Sequence, residues 1–383
     1  MKLVNKISRR SFLKALGGLG ITGTTAGVLL NQYESVHTKE LWITAQGRER
    51  EQYSLSSINP NQKIALDSLA GFRGHGMCQN PIKPEQVIMF SRRPGTMGLV
   101  VDVATSGVKQ IFNSETNHHM HGHGCFSTDG KILFYTESDY VTGKGKIILR
   151  ETVNFEKIGE YSSYGIGPHE IRLMPDNKTL VVANGGLRTH PDSGRAVLNY
   201  ETMRSTLTYI DSKTGQLISE HELDEPKASI RHLDVAQDGT VAMAIQVQRQ
   251  AMSDEHLVSL AATHKLGGEL QSLWAPHGLM TKLNDYMGSV RVHSKQRIAA
   301  FTSPRGDLAM FWNMDNLELE GFHVFHDVCG LTLSADENYF VLSNSAGKIR
   351  RLEVSTLTED TSKRLEYPAK SWDNHMMTVV LPS

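Results

Sequence analysis

The sequence predicts an all-β fold, a seven-bladed β-propeller closed by pairing its N- and C-terminal segments. Three observations point there. A β-rich run, a tight polar turn and a second β-rich run recur along the chain. A second hairpin signal follows about twenty residues later in several units. Segments with a sustained helical period are almost absent. Two hairpins per unit give four strands per unit, which is the arithmetic of a propeller blade.

The first turns are Ser127-Thr128-Asp129-Gly130, Met174-Pro175-Asp176-Asn177, Ala236-Gln237-Asp238-Gly239 and Ser334-Ala335-Asp336-Glu337. Each leads into a β-rich run, such as Lys131–Tyr135 or Thr179–Ala183. Asp-Gly between apolar runs favours a hairpin because the turn needs positive φ. The second hairpins carry Thr105-Ser106-Gly107 after Leu99–Val103 and Lys213-Thr214-Gly215 after Leu207–Asp211, with weaker copies at Phe311–Asp315 and Ile349–Glu353. Blades are expected near 71–115, 116–164, 165–225, 226–280, 285–326 and 327–360. Segment 37–70 and the strand His375–Leu381 complete the seventh. Ser253–His264 is expected to form a helix inserted in a loop. Two β-sandwiches are the alternative, disfavoured because nothing resembles an interdomain linker.

The chain begins with a basic stretch, Met1–Ile7, then Ser8-Arg9-Arg10-Ser11-Phe12-Leu13-Lys14 and a weakly apolar, Gly- and Thr-rich stretch to Leu30. That is the pattern of a twin-arginine export signal, expected over 1–36, with 37–383 as one propeller domain. The apolar run is short for a membrane span. No clean A-x-A cleavage site follows, so an uncleaved inner-membrane anchor stays open beside release into the periplasm. The twin-arginine translocase is then a partner during export.

The 383 residues carry a net charge of −1. Lys2, Lys6, Arg9, Arg10 and Lys14 against Glu34 lie in the leader, leaving 35 basic and 40 acidic residues, a net of −5. That balance argues against a sequence-independent nucleic-acid binder. Cys78, Cys125 and Cys329 are an odd number, so at least one is unpaired.

Tyr164-Gly165-Ile166-Gly167-Pro168-His169-Glu170, the run Ala183–Arg195, Ser91-Arg92-Arg93-Pro94-Gly95 and Trp372-Asp373-Asn374-His375 together resemble an uncharacterised family of twin-arginine-exported bacterial proteins predicted to be propellers. The resemblance spans nearly the whole chain after the leader. Genes of that family often stand beside those of imelysin-type, iron-regulated proteins. The resemblance implies a setting, envelope iron acquisition with other periplasmic iron-uptake proteins as partners. It implies no reaction and carries over no catalytic residue.

The histidines cluster. His118-His119-Met120-His121-Gly122-His123-Gly124-Cys125 holds four imidazoles, a thioether and a thiol in eight residues, the donor types of iron, copper and zinc sites. The repeat sharpens this. Counting six residues back from three of the four turn Asp residues gives His123, Glu170 with His169 beside it, and His232, and matching Gly74-His75-Gly76 to Gly122-His123-Gly124 adds His75. The blades at Ser289 and Gly330 break the pattern, so the polar arc covers part of the ring. These positions should meet at the mouth of the central channel. The expected metal ligands are therefore His75, His123, His169 and His232, with Glu170 as fifth ligand or support and iron or copper as the ion. His118, His119, His121 and Cys125 are accessory candidates, with His118 and His119 placed in a loop above. The competing view is that these histidines only hydrogen-bond neighbouring blades. Arg92, Arg93, Arg188, Arg195 and Arg305 lie in loops and suit carboxylate or phosphate, with ion pairs between blades as the alternative.

Gly-rich phosphate loops, nucleophile elbows, zinc-finger spacing and C-x-x-C-H are absent from the sequence. Three functions stay open: metal handling for uptake or sensing, an interaction scaffold for an iron-uptake partner, and a propeller enzyme, hydrolase or oxidoreductase, using the same axial site.

Overall fold

The computed structural model describes residues 39–382; the twin-arginine segment lies outside them. Seven four-stranded antiparallel sheets form the ring. Blade 1 comprises Lys39–Gln46, Ser54–Asn59 and Ile64–Leu69, with the C-terminal strand Trp372–Leu381 as its innermost strand. Blades 2 to 7 follow in chain order over 74–113, 118–162, 168–222, 228–273, 290–324 and 328–366. The expected closure is therefore the observed one: the first and last strands share a sheet.

The turn chemistry works as the sequence implies. Gly130, Asn177, Gly239 and Glu337 each adopt positive φ, between 58° and 85°. The aspartate before each accepts from backbone N–H groups just beyond the turn, as Asp176 does from Lys178 and Thr179.

Burial falls from the axis outward. The second strand of blade 4, Thr179–Asn184, is buried throughout, whereas the outermost strand of blade 6, Leu319–Val324, alternates half-buried and exposed. The apolar cores lie between blades. Ile88, Phe90 and Val100 of blade 2 meet Met120, Leu133 and Tyr135 of blade 3. Each blade thus supplies half of two cores and has no complete core of its own.

Two local expectations are corrected. Ser253–His264 is not a helix: Ala261–Lys265 is a strand paired with Thr240–Ala244. Burying Ala261 and Ala262 against the neighbouring strand outweighs the local helical spacing. The one α-helix among the described residues is His277–Lys282. The closing strand begins at Trp372, three residues before His375. No helix of the described residues is long and apolar enough to cross a membrane. Cys78, Cys125 and Cys329 are all free and buried.

Candidate metal centre

The innermost strands carry a shared irregularity. Five of them break register at one level: between Gly74 and Met77, Met120 and Gly124, Pro168 and Glu170, Ile230 and His232, and Val328 and Leu331. A bulge inserts an extra residue and re-aims side chains. Here it turns consecutive residues, such as His169 with Glu170 and Arg231 with His232, towards the axis.

Glycine makes room for this. A Cβ on Gly76 would lie 2.5 Å from both the Gly122 carbonyl oxygen and His123 Nδ1. Gly122 has φ +103°, and a Cβ there would lie 2.6 Å from His75 Cδ2. Imidazoles from adjacent blades approach so closely that side chains at these two positions are excluded.

The result is a cluster of five imidazoles. His232 Nε2 lies 2.9 Å from His169 Nε2 and 3.1 Å from His375 Nε2, and His169 Nε2 lies 3.5 Å from His75 Nε2. His75, His123, His232 and His375 each offer a nitrogen within 4.8 Å of the other three. His123 stands with its ring centroid 4.8–5.2 Å from those of His75, His169, His232 and His375. An imidazole nitrogen bears one proton or one lone pair, so an Nε2 flanked by two others satisfies only one of them. In addition, His75 Nδ1, His123 Nε2, His169 Nδ1 and His232 Nδ1 are buried without a hydrogen-bond partner. Such groups are costly to bury unpaired.

His75, His123, His232 and His375 could hold a single cation, which would relieve the crowding of lone pairs at the centre, though not the unpaired Nδ1 atoms on the outer sides of the rings. With metal–nitrogen bonds of about 2.0–2.1 Å, nitrogens around one ion stand about 2.9–3.4 Å apart. Three of the Nε2 separations fall at or close to that range.

Supporting groups stand behind the rings. Asp373 Oδ1 is 3.6 Å from His75 Nδ1, Glu170 Oε1 is 3.7 Å from His123 Nδ1, and Ser289 Oγ is 3.1 Å from His375 Nδ1. Ser289 is within hydrogen-bond distance and orients the His375 ring, whereas the two carboxylates stand just beyond it and act on His75 and His123 as nearby charges. Arg92 and Arg73 hold Asp373 in turn. Burial pushes the Asp373 carboxyl up, but these guanidiniums prevail and keep it below the ordinary carboxylate range. Glu170 is bonded to Arg172 at 2.7 Å and accepts from the Leu233 N–H. It therefore stands behind His123 and not in the ligand set.

Burial is also what keeps the imidazoles neutral. It drives His75, His123, His169 and His232 well below their ordinary value, helped in each case by positive neighbours, and lowers His375 to about 3. Neutral imidazole is the ligating form.

Of the residues expected in the centre, His75, His123, His169 and His232 are brought together. His375 was missed. It follows no Asp turn, so the repeat register gives no handle on it, although it lies in the Trp372–His375 motif. The centre also lies deeper than expected. It is buried inside the channel, dividing a cavity of 550 Å³ bordered by His123, His232 and His375 from one of 220 Å³ bordered by His75, His169 and His232.

The accessory residues bond to groups outside the cluster, although the His121 ring stands 6.4 Å from that of His169. His118 and His119 belong to the innermost strand of blade 3, His118–Phe126, and not to a loop. His118 Nδ1 pairs with Glu137 at 3.1 Å, His119 lies between the Met120 carbonyl and Thr189, and His121 bonds Ser138 at 2.7 Å. Cys125 fills the core between blades 3 and 4, where burial pushes its thiol up to about 12.

Arg92, Arg93, Arg195 and Arg305 line the 220 Å³ cavity together, joined by Arg231. Arg188 does not; it braces the Tyr140 and Val141 carbonyls of blade 3.

A family model described as "Protein of unknown function (DUF1513)" matches residues 69–379. The chain belongs to the DUF1513 family. The match covers blades 2 to 7 and reaches into the closing strand, so all five histidines lie within it. A search of curated proteins finds no match. Among solved structures, the chain is similar to Kuenenia stuttgartiensis hydrazine synthase, at 15% identity and a TM-score of 0.61, over 79% of this chain and 90% of that one. At that identity the likeness shows the propeller fold alone.

Proposed function

We propose that this DUF1513 protein binds a transition-metal ion at the centre of its propeller, as an exported component of envelope metal handling. The convergence of His75, His123, His232 and His375, whose ligating nitrogens all lie within 4.8 Å of one another, carries the reading. Imidazole suits copper, iron and zinc. Because Glu170 is engaged by Arg172, the donor set is all imidazole, and no direct carboxylate ligand favours iron over copper. Iron is supported by the resemblance, through the imelysin-type neighbourhood of the family's genes. Periplasmic localisation is supported by Arg9-Arg10 and the apolar stretch after them.

An enzyme on the same axis is the second reading. The 550 Å³ cavity favours it, because it borders His123, His232 and His375 and is wide enough for a substrate.

Metal analysis of protein isolated from the periplasm tests the first reading, followed by titration of chelator-stripped protein with Fe(II), Cu(II) and Zn(II). The expected result is one equivalent of ion per chain, lost in a His123→Ala, His232→Ala double variant that melts like the parent. Protein that takes up none of the three ions stoichiometrically overturns it. A turnover screen on metal-loaded protein separates the two readings.

A further inference from the structure

The 220 Å³ cavity on one side of the imidazole centre is built from donors. Arg92, Arg93, Arg195, Arg231 and Arg305 line it, and no carboxylate does. Arg92 is neutralised by Asp373, which reaches it at 2.9 Å from behind. Arg93 and Arg231 are different. Each is at least nine-tenths buried, each leaves Nη1 without a hydrogen-bond partner, and neither forms an ion pair among the described residues. Tyr286 Oη accepts from the Asn374 amide at 2.9 Å, which leaves its own proton free to donate. A buried guanidinium without a counter-charge is costly, and two that also repel a third at Arg195 are costlier still.

We infer that this cavity binds a small oxyanion of at least two negative charges, held by Arg93, Arg231 and Arg195 against the imidazole centre. The donor inventory decides the sign of the ligand, since guanidinium offers N–H groups and no acceptor. The volume decides its size: 220 Å³ is below the range of drug-sized ligands and suits an ion of a few heavy atoms. Planar guanidinium forks match both carboxylate and phosphate oxygens, so a dicarboxylate and inorganic phosphate are the two sources of this chemistry. His75, His169 and His232 line the same cavity. An anion there faces both the guanidiniums and the centre. That second contact rests on the metal reading, whereas binding to the arginines does not.

The test is calorimetric titration of chelator-stripped protein with oxalate and with phosphate at low ionic strength and pH 7, repeated after metal loading. Binding of either anion to the stripped protein is expected, and the tighter of the two identifies the source. Arg231→Gln and Arg93→Gln should each weaken it by about tenfold or more. Arg195→Gln, on an exposed loop where the fold is not at stake, should weaken it measurably. In anion-free buffer Arg231→Gln should melt no lower than the parent, since it removes an uncompensated buried charge. Absence of binding up to about 10 mM of both anions, with or without metal, overturns the inference. So does an unchanged affinity in the Arg195 and Arg231 variants. A His123→Ala, His375→Ala variant, whose two residues do not line the 220 Å³ cavity, separates the two proposals: it should lose metal and still bind the anion.

Discussion

His375 Nε2 lies 3.1 Å from His232 Nε2 across 143 residues of sequence. His232 is on the innermost strand of blade 5 and His375 on the strand that closes blade 1. The same strand carries Asp373, which stands behind His75 and ties Arg73 and Arg92. Ring closure and assembly of the centre are therefore one event. Blades 2 to 5 supply His75, His123, His169 and His232, but the set is completed only when the C-terminal strand docks.

Deleting residues 372–383 should accordingly remove both stability and metal binding. The strand buries Trp372, Met376 and Val379, each worth about 1.5–3 kcal/mol, and its loss exposes the edge of blade 1. A loss on the order of 5 kcal/mol or more is expected, measured by denaturant unfolding. A truncated chain that unfolds at the parent's midpoint would contradict this closure.

The two glycines that admit the rings can be tested separately from the rings. Gly76→Ala would place a methyl 2.5 Å from His123 Nδ1 and from the Gly122 carbonyl. The backbone cannot yield as a flexible side chain would. The expected result is a stability loss of about 1–3 kcal/mol and weaker metal binding, because His123 is displaced. Gly159→Ala, where the added Cβ meets nothing within 4 Å, is the control and should change neither. Equal metal affinity in both variants would show that His123 is not a ligand.

The fold and much of the centre were legible in the sequence, for a definable reason. His123, Glu170 and His232 each precede a turn Asp by six residues, and a propeller places equivalent positions of successive blades around one axis. What the register could not show is the bulge. Counting selects Glu170, but the extra residue between Pro168 and Glu170 brings His169 into the cluster and lets Glu170 turn to Arg172. Arg231 was missed for the same reason, being one residue from His232 across a bulge. His375 and Asp373 escaped because the closing strand leads into no turn. The guanidinium cavity was half visible: Arg92, Arg93, Arg195 and Arg305 were singled out, but separate loops gave no sign that four would converge while Arg188 went elsewhere.

Export is tested by replacing Arg9 and Arg10 together with lysine. Lysine keeps the charge and loses the planar guanidinium that the twin-arginine receptor reads. The variant should remain in the cytoplasm on fractionation. Unchanged recovery from the periplasm would rule out the twin-arginine route.

The metal-free protein should lose stability as pH falls below about 6.5, the ordinary histidine value. His75, His123, His169, His232 and His375 are buried and neutral, with values lowered in the folded state. The unfolded chain therefore binds more protons than the native one between the two values, and stability rises with pH across that window. The contribution is complete above about 6.5 and is lost progressively down to the folded values, which for His375 is about 3. His118 opposes this. Its bond to Glu137 raises it, so its contribution is present below 6.5 and lost as pH rises through its folded value. One half-buried histidine against five buried ones leaves the net slope positive. Bound metal steepens the loss, because ligand protonation competes with coordination. Thermal unfolding of stripped and loaded protein between about pH 4 and 8 checks both. A stripped protein with a flat melting temperature across that range would show that the cluster does not titrate on unfolding.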